Sequence, residues 1–421
     1  MVKLLTALTA GLLALALSPV TRADQPPRHH LELGVDLSYL SVSGYPSWTG
    51  GGAGKLRYDE DGLVLSRAFM DFRYRLTDTL EAKVDAQLYT DNIGHPIDLT
   101  EAYLDWRPLG ASANRYRFKL GAFYPRVSLE NTGPGWSSPY TISPSALNTW
   151  VGEELRTVGL EGSWTRRPQS LGGMHTFTLY AAIFYYNDPA GALLSWKGWS
   201  IHDRQTRYGD ELPLPPLPQI QPGMYFQRQD PYVAIFREID NEPGYYLGGE
   251  WRYGKKVLAR LMHYDNRGDP RAFENGQYAW GTDFDLVGVQ LILPGDIGLI
   301  YQWMSGLTVM GPVYNGTHVV DANYYSDFLL LTRAFGPHRV SARYDRFEVD
   351  ENDQVPLDNN SEYGHAWTMA YTYQVSTEIS LAAEWLAIET YREAWEYYGL
   401  DEEKTEYQLQ LALRIRFGSG H

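Results

Sequence analysis

Arg67, Arg73 and Arg75 stand at positions of one parity, and Arg115, Arg117 and Lys119 do the same further along the chain. Side chains on an extended strand alternate between its faces, so residues two apart line one surface. A row of guanidinium and ammonium groups does not make or break bonds. It attracts anions, most strongly where low-dielectric walls focus its field. Arg126 follows the second row, and Glu130, Glu153 and Glu154 are acids that would oppose it if turned to the same space. Bond-making sets are missing. His95, His202, His318 and His365 have no Gly-x-Ser-x-Gly or comparable motif beside them. Residues 249–256 mimic a phosphate-binding loop, but Lys256 occupies the Ser or Thr position and no helix pattern follows. His29-His30 is a lone pair near a fraying end and reads as inert toward metal. The sequence therefore predicts no catalytic residue, no cofactor and no metal site. The ten charged residues above are its candidate lining of an aqueous passage.

Strands must position them. The stretch 404–417 alternates Tyr407, Leu409, Leu411, Leu413, Ile415 and Phe417 with Glu406, Gln408, Gln410, Ala412, Arg414 and Arg416. This is a strand with one apolar and one polar face. It exceeds the usual soluble strand of about 5–6 residues and suits a tilted bilayer crossing, which needs roughly 9–11. The alternation recurs at 31–39, 67–76, 80–88, 101–107 and 115–122, stops from 124 to 154, and resumes at 155–165 and 174–186. A long irregular region, 187–243, holds only a short local strand at 232–239. The rhythm then runs through 244–253, 256–265, 278–293, 297–308, 322–335, 339–349, 362–375, 378–390 and 404–417.

Connections alternate short and long: seven short turns on one side, eight long loops on the other, 309–321 among them. An even strand count with short periplasmic turns and long external loops characterises bacterial outer-membrane barrels. The expected fold is all-β, a 16-stranded antiparallel transmembrane barrel. A soluble sandwich or propeller has no reason to sort its loops by length.

Composition agrees. The 421 residues include 32 Tyr, 13 Trp and no Cys, with net charge −15. Residues 1–23 read as a secretory leader: Lys3, an apolar run, then Thr21-Arg22-Ala23. Its removal would take the charge from −15 to −17, because Lys3 and Arg22 leave with no acid. Residues 24–421 would remain as one barrel domain in the outer membrane. The acidic balance argues against nucleic acid as a partner. Acids crowd the long loops, as at Asp59-Glu60-Asp61 and Asp401-Glu402-Glu403, while arginines occupy polar strand faces. External carboxylates are screened beyond about 8 Å at physiological salt, so the arginines should set a weak to moderate anion preference.

Residues 119–130 contain Gly121, Phe123, Pro125, Ser128, Leu129 and Glu130 in a Gly-x-Phe-x-Pro-x-x-Ser-Leu-Glu pattern. The pattern resembles the signature that leads into the third loop of the phosphate-selective porin family. The resemblance implies a homotrimer and lumenal arginines that attract anions. That family's lysine cluster has no counterpart here beyond Lys255-Lys256 in a turn, so phosphate selectivity is not carried over. Counted from the strand rhythm, 124–154 is the third long loop, the one that folds inward and constricts general porins. It is the candidate constriction, and 187–243 is a long external loop. Trp136, Trp150, Trp196 and Trp199 in these loops read as packing residues rather than a sugar-stacking platform. The function implied is passive diffusion of small hydrophilic, anion-favoured solutes across outer-membrane lipid. An outer-membrane barrel enzyme of the lipase or protease type, or a secreted carbohydrate-binding β-protein, are the alternatives.

Overall fold

The computed structural model describes residues 28–110, 112–168 and 173–419. The predicted leader, 1–23, lies outside the described residues. Sixteen antiparallel strands close into one barrel. They are β1 His29–Ser43, β2 Gly62–Arg75, β3 Leu80–Leu88, β4 Ile97–Trp106, β5 Asn114–Phe123, β6 Thr157–Arg166, β7 His175–Tyr185 and β8 Gly244–Tyr253. Then come β9 Val257–Asp265, β10 Trp280–Leu293, β11 Ile297–Tyr314, β12 Thr317–Phe335, β13 His338–Glu351, β14 Glu362–Gln374, β15 Ile379–Arg392 and β16 Glu403–Ser419. β16 pairs back onto β1, from Leu31 opposite Ser419 to Ser43 opposite Tyr407, so the sheet has no open edge. Among the described residues no helix is long and apolar enough to cross a membrane.

The two faces divide as the alternation requires. On β16, Tyr407, Leu409, Leu411 and Phe417 are exposed on the outer face, while Glu406, Gln408, Gln410 and Ala412 are buried on the inner one. Exposed aromatics mark both rims of the outer face. Trp106, Tyr116, Phe177, Phe335 and Phe417 lie toward the short turns, and Tyr39, Tyr185, Tyr363 and Tyr407 toward the loops. Two aromatic girdles flanking an apolar band are the outer surface of a membrane barrel.

Four expectations need correction. First, 309–321 is not a loop. β11 and β12 run on as an extended hairpin turned by Asn315 and Gly316, both at positive φ (53° and 99°). Asn-Gly is the pair that a two-residue type I′ turn favours, and it is the signal the alternation count passed over. Second, 232–239 supplies only Tyr232–Val233, paired with Leu212–Pro213 in a separate two-stranded sheet. Third, Tyr278 belongs to a small hairpin, Phe273–Glu274 with Gln277–Tyr278, and the barrel strand starts at Trp280. Fourth, the second strand does not begin at 67 but at Gly62, and alternation breaks above Arg67. The register with β1 shifts between Asp36 and Leu37. Ser66 and Arg67 are both buried, with Ser66 Oγ 3.0 Å from Ser38 Oγ. One extra residue in a strand has this effect.

The outer face sets a test. Leu411 is exposed near the middle of β16. Leu411→Lys is expected to destabilise the vesicle-embedded barrel by about 2–4 kcal/mol, the usual cost of a lysine at the bilayer midplane. Urea unfolding followed by tryptophan fluorescence measures it.

Candidate functional site in the lumen

The inner wall has two unlike halves. From β7 to β15 its buried residues are largely apolar, including Tyr180, Phe284, Met304, Tyr324 and Phe347. On β16 and β1 to β6 they are mostly polar or charged, from Gln410 and Asp36 round to Lys119 and Glu161. The apolar half receives a helix, α1 (Ala146–Glu154), from the third loop. Its Ser145 cap accepts from Asn148 N, and all nine of its residues are buried. Trp150 sits 5.7 Å from Phe284 and 5.3 Å from Tyr324, ring centre to ring centre. Leu147 and Val151 join the same core. Burying each such side chain contributes roughly 1.5–3 kcal/mol.

The rest of the third loop is irregular apart from a short 3-10 turn at Pro134–Trp136, and wall side chains satisfy much of its backbone. Arg260 donates to the carbonyls of Arg126, Val127 and Ser128 at 3.0, 3.3 and 3.1 Å. Gln302 donates to Val127 O at 2.9 Å and accepts from Leu129 N at 2.8 Å. Arg343 donates to Ser143 O at 2.7 Å and Pro144 O at 3.0 Å. Glu384 accepts from Ser143 N at 3.0 Å, and Asp345 from Ala146 N at 3.1 Å. From the opposite wall, Gln87 donates to Gly135 O at 3.0 Å. The loop therefore crosses the lumen and touches both halves of the wall.

The ten sequence-predicted residues fall into two groups. The basic ones stand on the inner face, but most are tied to acids. Arg67 pairs with Asp36 at 3.1 Å and Arg73 with Asp71 at 2.9 Å. Arg117 grips Asp105 through two contacts of 2.7 and 2.8 Å. Lys119 and Arg126 share Glu161 at 3.8 and 2.7 Å. Arg115 donates to the Ser112 and Asn114 carbonyls of its own turn. Arg75 is exposed, without a side-chain partner among the described residues. The acidic ones are turned away from open space. Glu130 is buried against Arg343 at 2.8 Å, Glu153 against Lys197 and His202, and Glu154 against the amides of Leu193 and Leu194. Asp36, Asp71, Asp105 and Glu161 share the inner parity of their strands, which puts them on the same wall but does not give the pairing.

One further cluster reaches outside these ten residues. Asp36 accepts from Arg416 Nη1 at 2.6 Å as well as from Arg67, and Arg414 stands on the same inner face of β16. The Phe69 ring is in cation–π range of both the Arg67 and Arg416 guanidiniums, at 5.0 and 4.9 Å. Arg414 Nη2 reaches Thr141 O at 3.5 Å, while its Nε is buried and unpaired. Across from it Arg339 bonds Thr332 Oγ1 and lies over the Tyr140 ring. Arg339, Arg414 and Arg416, with Glu32, Glu378 and the loop residues Gly133, Pro134 and Ser137, border a cavity of about 450 Å³ at the short-turn end of the lumen.

At the other end the region 187–243 crosses the barrel mouth. Lys55 Nζ meets Glu362 at 2.9 Å and Lys197 O at 3.0 Å, and Arg392 donates to Ser195 O at 2.6 Å. Trp199 Nε1 donates to Glu348 O at 3.0 Å. On the far side Arg204 pairs with Asp91 at 2.6 Å, and Arg207 donates to Ile93 O at 2.6 Å. Burial pushes the Lys55 ammonium down to about 8 against the pull of Glu362. Burial also raises the Glu154 carboxyl to about 7, outweighing its three N–H donors. Next to it, burial opposes ionisation of Glu153 but the Lys197 and His202 charges win, holding it at about 2. Ser200, Lys197, His202 and Glu153 lie within hydrogen-bond reach of one another. They do not form a catalytic set. His202 spends its second nitrogen on Arg204 N at 3.2 Å, and all four residues are buried.

Comparison with solved structures places this geometry. The outer-membrane channel DcaP of Acinetobacter baumannii covers 92% of this chain and 96% of its own, with TM-score 0.52 and 10% identity. The anion-selective porin of Comamonas acidovorans covers 92% and 99%, with TM-score 0.51 and 13% identity. The fold is that of an outer-membrane porin. No protein-family model and no curated protein matches the sequence.

Two tests follow. Arg343→Leu leaves Glu130, Asp345 and two loop carbonyls without their donor, a loss of about 3–5 kcal/mol for a broken buried pair. The barrel should still form, seen as a heat-modifiable band, while proteolysis within 124–156 accelerates. Glu154 carries a raised pKa, so its contribution is complete below about 4.5 and lost as pH rises through about 7. Amide exchange in α1 should quicken between pH 5 and pH 8, by the equivalent of about 2–3 kcal/mol at most. Glu154→Gln should flatten that dependence.

Proposed function

We propose that the chain is an outer-membrane diffusion channel for small hydrophilic solutes, with a preference for anions. The observation that carries this reading is the cationic excess beside the cavity. Arg67, Arg414 and Arg416 gather around the carboxylate of Asp36, and Arg339 borders the same space, so these four arginines outnumber Asp36 and the cavity's two acids, Glu32 and Glu378. The rows on β2 and β5 contribute less, because Asp71, Asp105 and Glu161 neutralise most of their charge. The third loop narrows the passage between these arginines and its own tip. The leader directs export, and the mature chain sits in outer-membrane lipid as a homotrimer.

The motif at 119–130 supports a relationship to phosphate-selective porins, because its residues build the start of that loop. Gly121 sits at φ 134°, where an added Cβ would fall 2.4 Å from Ala102 O. Ser128 Oγ accepts from Glu130 N and Asn131 N, turning the chain. Glu130 then locks onto Arg343. The buried Ser200 cluster, closed to any substrate, weighs against the enzyme alternative.

Planar-bilayer recording tests the proposal. The wild type should conduct, with a reversal potential in a salt gradient displaced toward the anion value. Arg339→Ala with Arg414→Ala should move it toward cations further than Arg115→Ala with Arg117→Ala. Absence of any conductance, or a greater effect from the Arg115 and Arg117 pair, overturns it.

A further inference from the structure

Ten lysine and arginine side chains are buried among the described residues: Lys55, Arg57, Arg67, Lys119, Arg156, Lys197, Arg204, Arg207, Arg343 and Arg392. Nine have a carboxylate oxygen within ion-pair distance. Arg156 does not. It is fully buried where the third loop ends, and only its Nη2 is used, donating to Thr206 O at 2.5 Å and Gly152 O at 3.4 Å. Its Nε and Nη1 have no partner. An ionised group taken out of water without a counter-charge costs several kcal/mol, and Arg156 alone of these ten is left that way.

The surroundings are complementary to a small anion. The Arg156 guanidinium lies over the Tyr124 ring at 3.5 Å, and Phe236 stands 5.1 Å away. Tyr124 in turn stacks on Trp136 at 4.2 Å. The hydroxyls of Tyr124 and Tyr208 are both buried and unpaired, and Tyr208 is close enough to interact electrostatically with Arg156. The nearby carboxylates are already claimed. Glu101 accepts from Lys83 at 2.9 Å and from Tyr124 N at 3.0 Å, while Asp210 is held by Arg204 and Arg207. Arg156 Nε and Nη1 and the hydroxyls of Tyr124 and Tyr208 are thus left without partners in one aromatic-walled region, where Arg156 has no carboxylate paired to it.

We propose that Arg156, with Tyr208 and Tyr124, holds a buried halide-sized monovalent anion at the seam between the third loop and the region 187–243. The anion completes the seam: Arg156 belongs to one loop, Thr206 and Tyr208 to the other. It is a structural ligand, separate from the solute passage lined by Arg339 and Arg414, and it does not depend on the channel reading.

Bromide is the probe. Full-length protein in detergent, crystallised and soaked in sodium bromide, should show an anomalous peak within hydrogen-bond distance of Arg156 Nε or Nη1. Its melting midpoint should rise with bromide at constant ionic strength. Arg156→Gln should lose both effects. Tyr208→Phe, which keeps the ring, should shift the bromide midpoint severalfold upward even if Arg156→Gln fails to fold. Water alone at Arg156 in saturating bromide, or equal bromide dependence in wild type and Tyr208→Phe, overturns the proposal. So does an adventitious ion only, seen at exposed lysines and arginines and not at Arg156.

Discussion

A backbone that enters a closed barrel without forming strands must find partners for every N–H and C=O, and this requirement shapes the interior. Regular structure inside the lumen is confined to short pieces such as α1, so the wall supplies the partners. Arg343 is the pivotal one. Buried on β13, it holds Glu130, Asp345 and two loop carbonyls at once. Arg260, Gln302, Glu384 and Gln87 do the same elsewhere. A guanidinium or carboxylamide can satisfy irregular backbone from a regular sheet because its donors and acceptors extend several bonds beyond the strand. Charge in this wall therefore serves two purposes, positioning a loop and shaping a field, and residue type alone does not distinguish them.

The division of the lumen follows from that. Where α1 packs, the wall is apolar and the loop fills the space. Where the loop only touches by its tip, the wall stays charged and ion pairs run between adjacent strands. Neutralisation is extensive on β2 to β5, where Arg67, Arg73, Lys83, Arg117 and Lys119 each meet an acid on their own or a neighbouring strand, while Arg75 and Arg115 do not. It is incomplete around β16 and β1, where Arg67 and Arg416 share Asp36.

The strand rhythm was legible because a bilayer-spanning strand must keep one face apolar over its whole length. Ends and count at β3, β8 and β9 followed to within a residue. The rhythm misled where a different constraint governed the chain. Beyond the membrane, β11 and β12 no longer need an apolar outer face, so their extension carried no alternation and only Asn315-Gly316 marked the turn. The bulge at Ser66 shifted parity by one and hid the upper part of β2. The inner parity of Arg67, Arg73, Arg117 and Lys119 was readable, but their pairing was not, because a period of two gives the face and not the register between strands. Glu130, Glu153 and Glu154 were unreadable in a deeper sense: a loop without periodicity gives no side on which to place them.

The third loop is fastened by residues far apart in the chain. Gln87 lies 48 positions before its partner Gly135, whereas Arg343 lies 213 after Glu130 and Glu384 lies 241 after Ser143. Contacts of such separation form late, because a long stretch of chain must be ordered first. The amino-terminal strands can be complete, and the loop synthesised, while most of its anchors are still unmade. Only when β13 to β16 have arrived and met β1 does the loop acquire its fixed course. Assembly thus leaves the aperture until last, and a barrel halted just short of that step would have its wall but not its sieve.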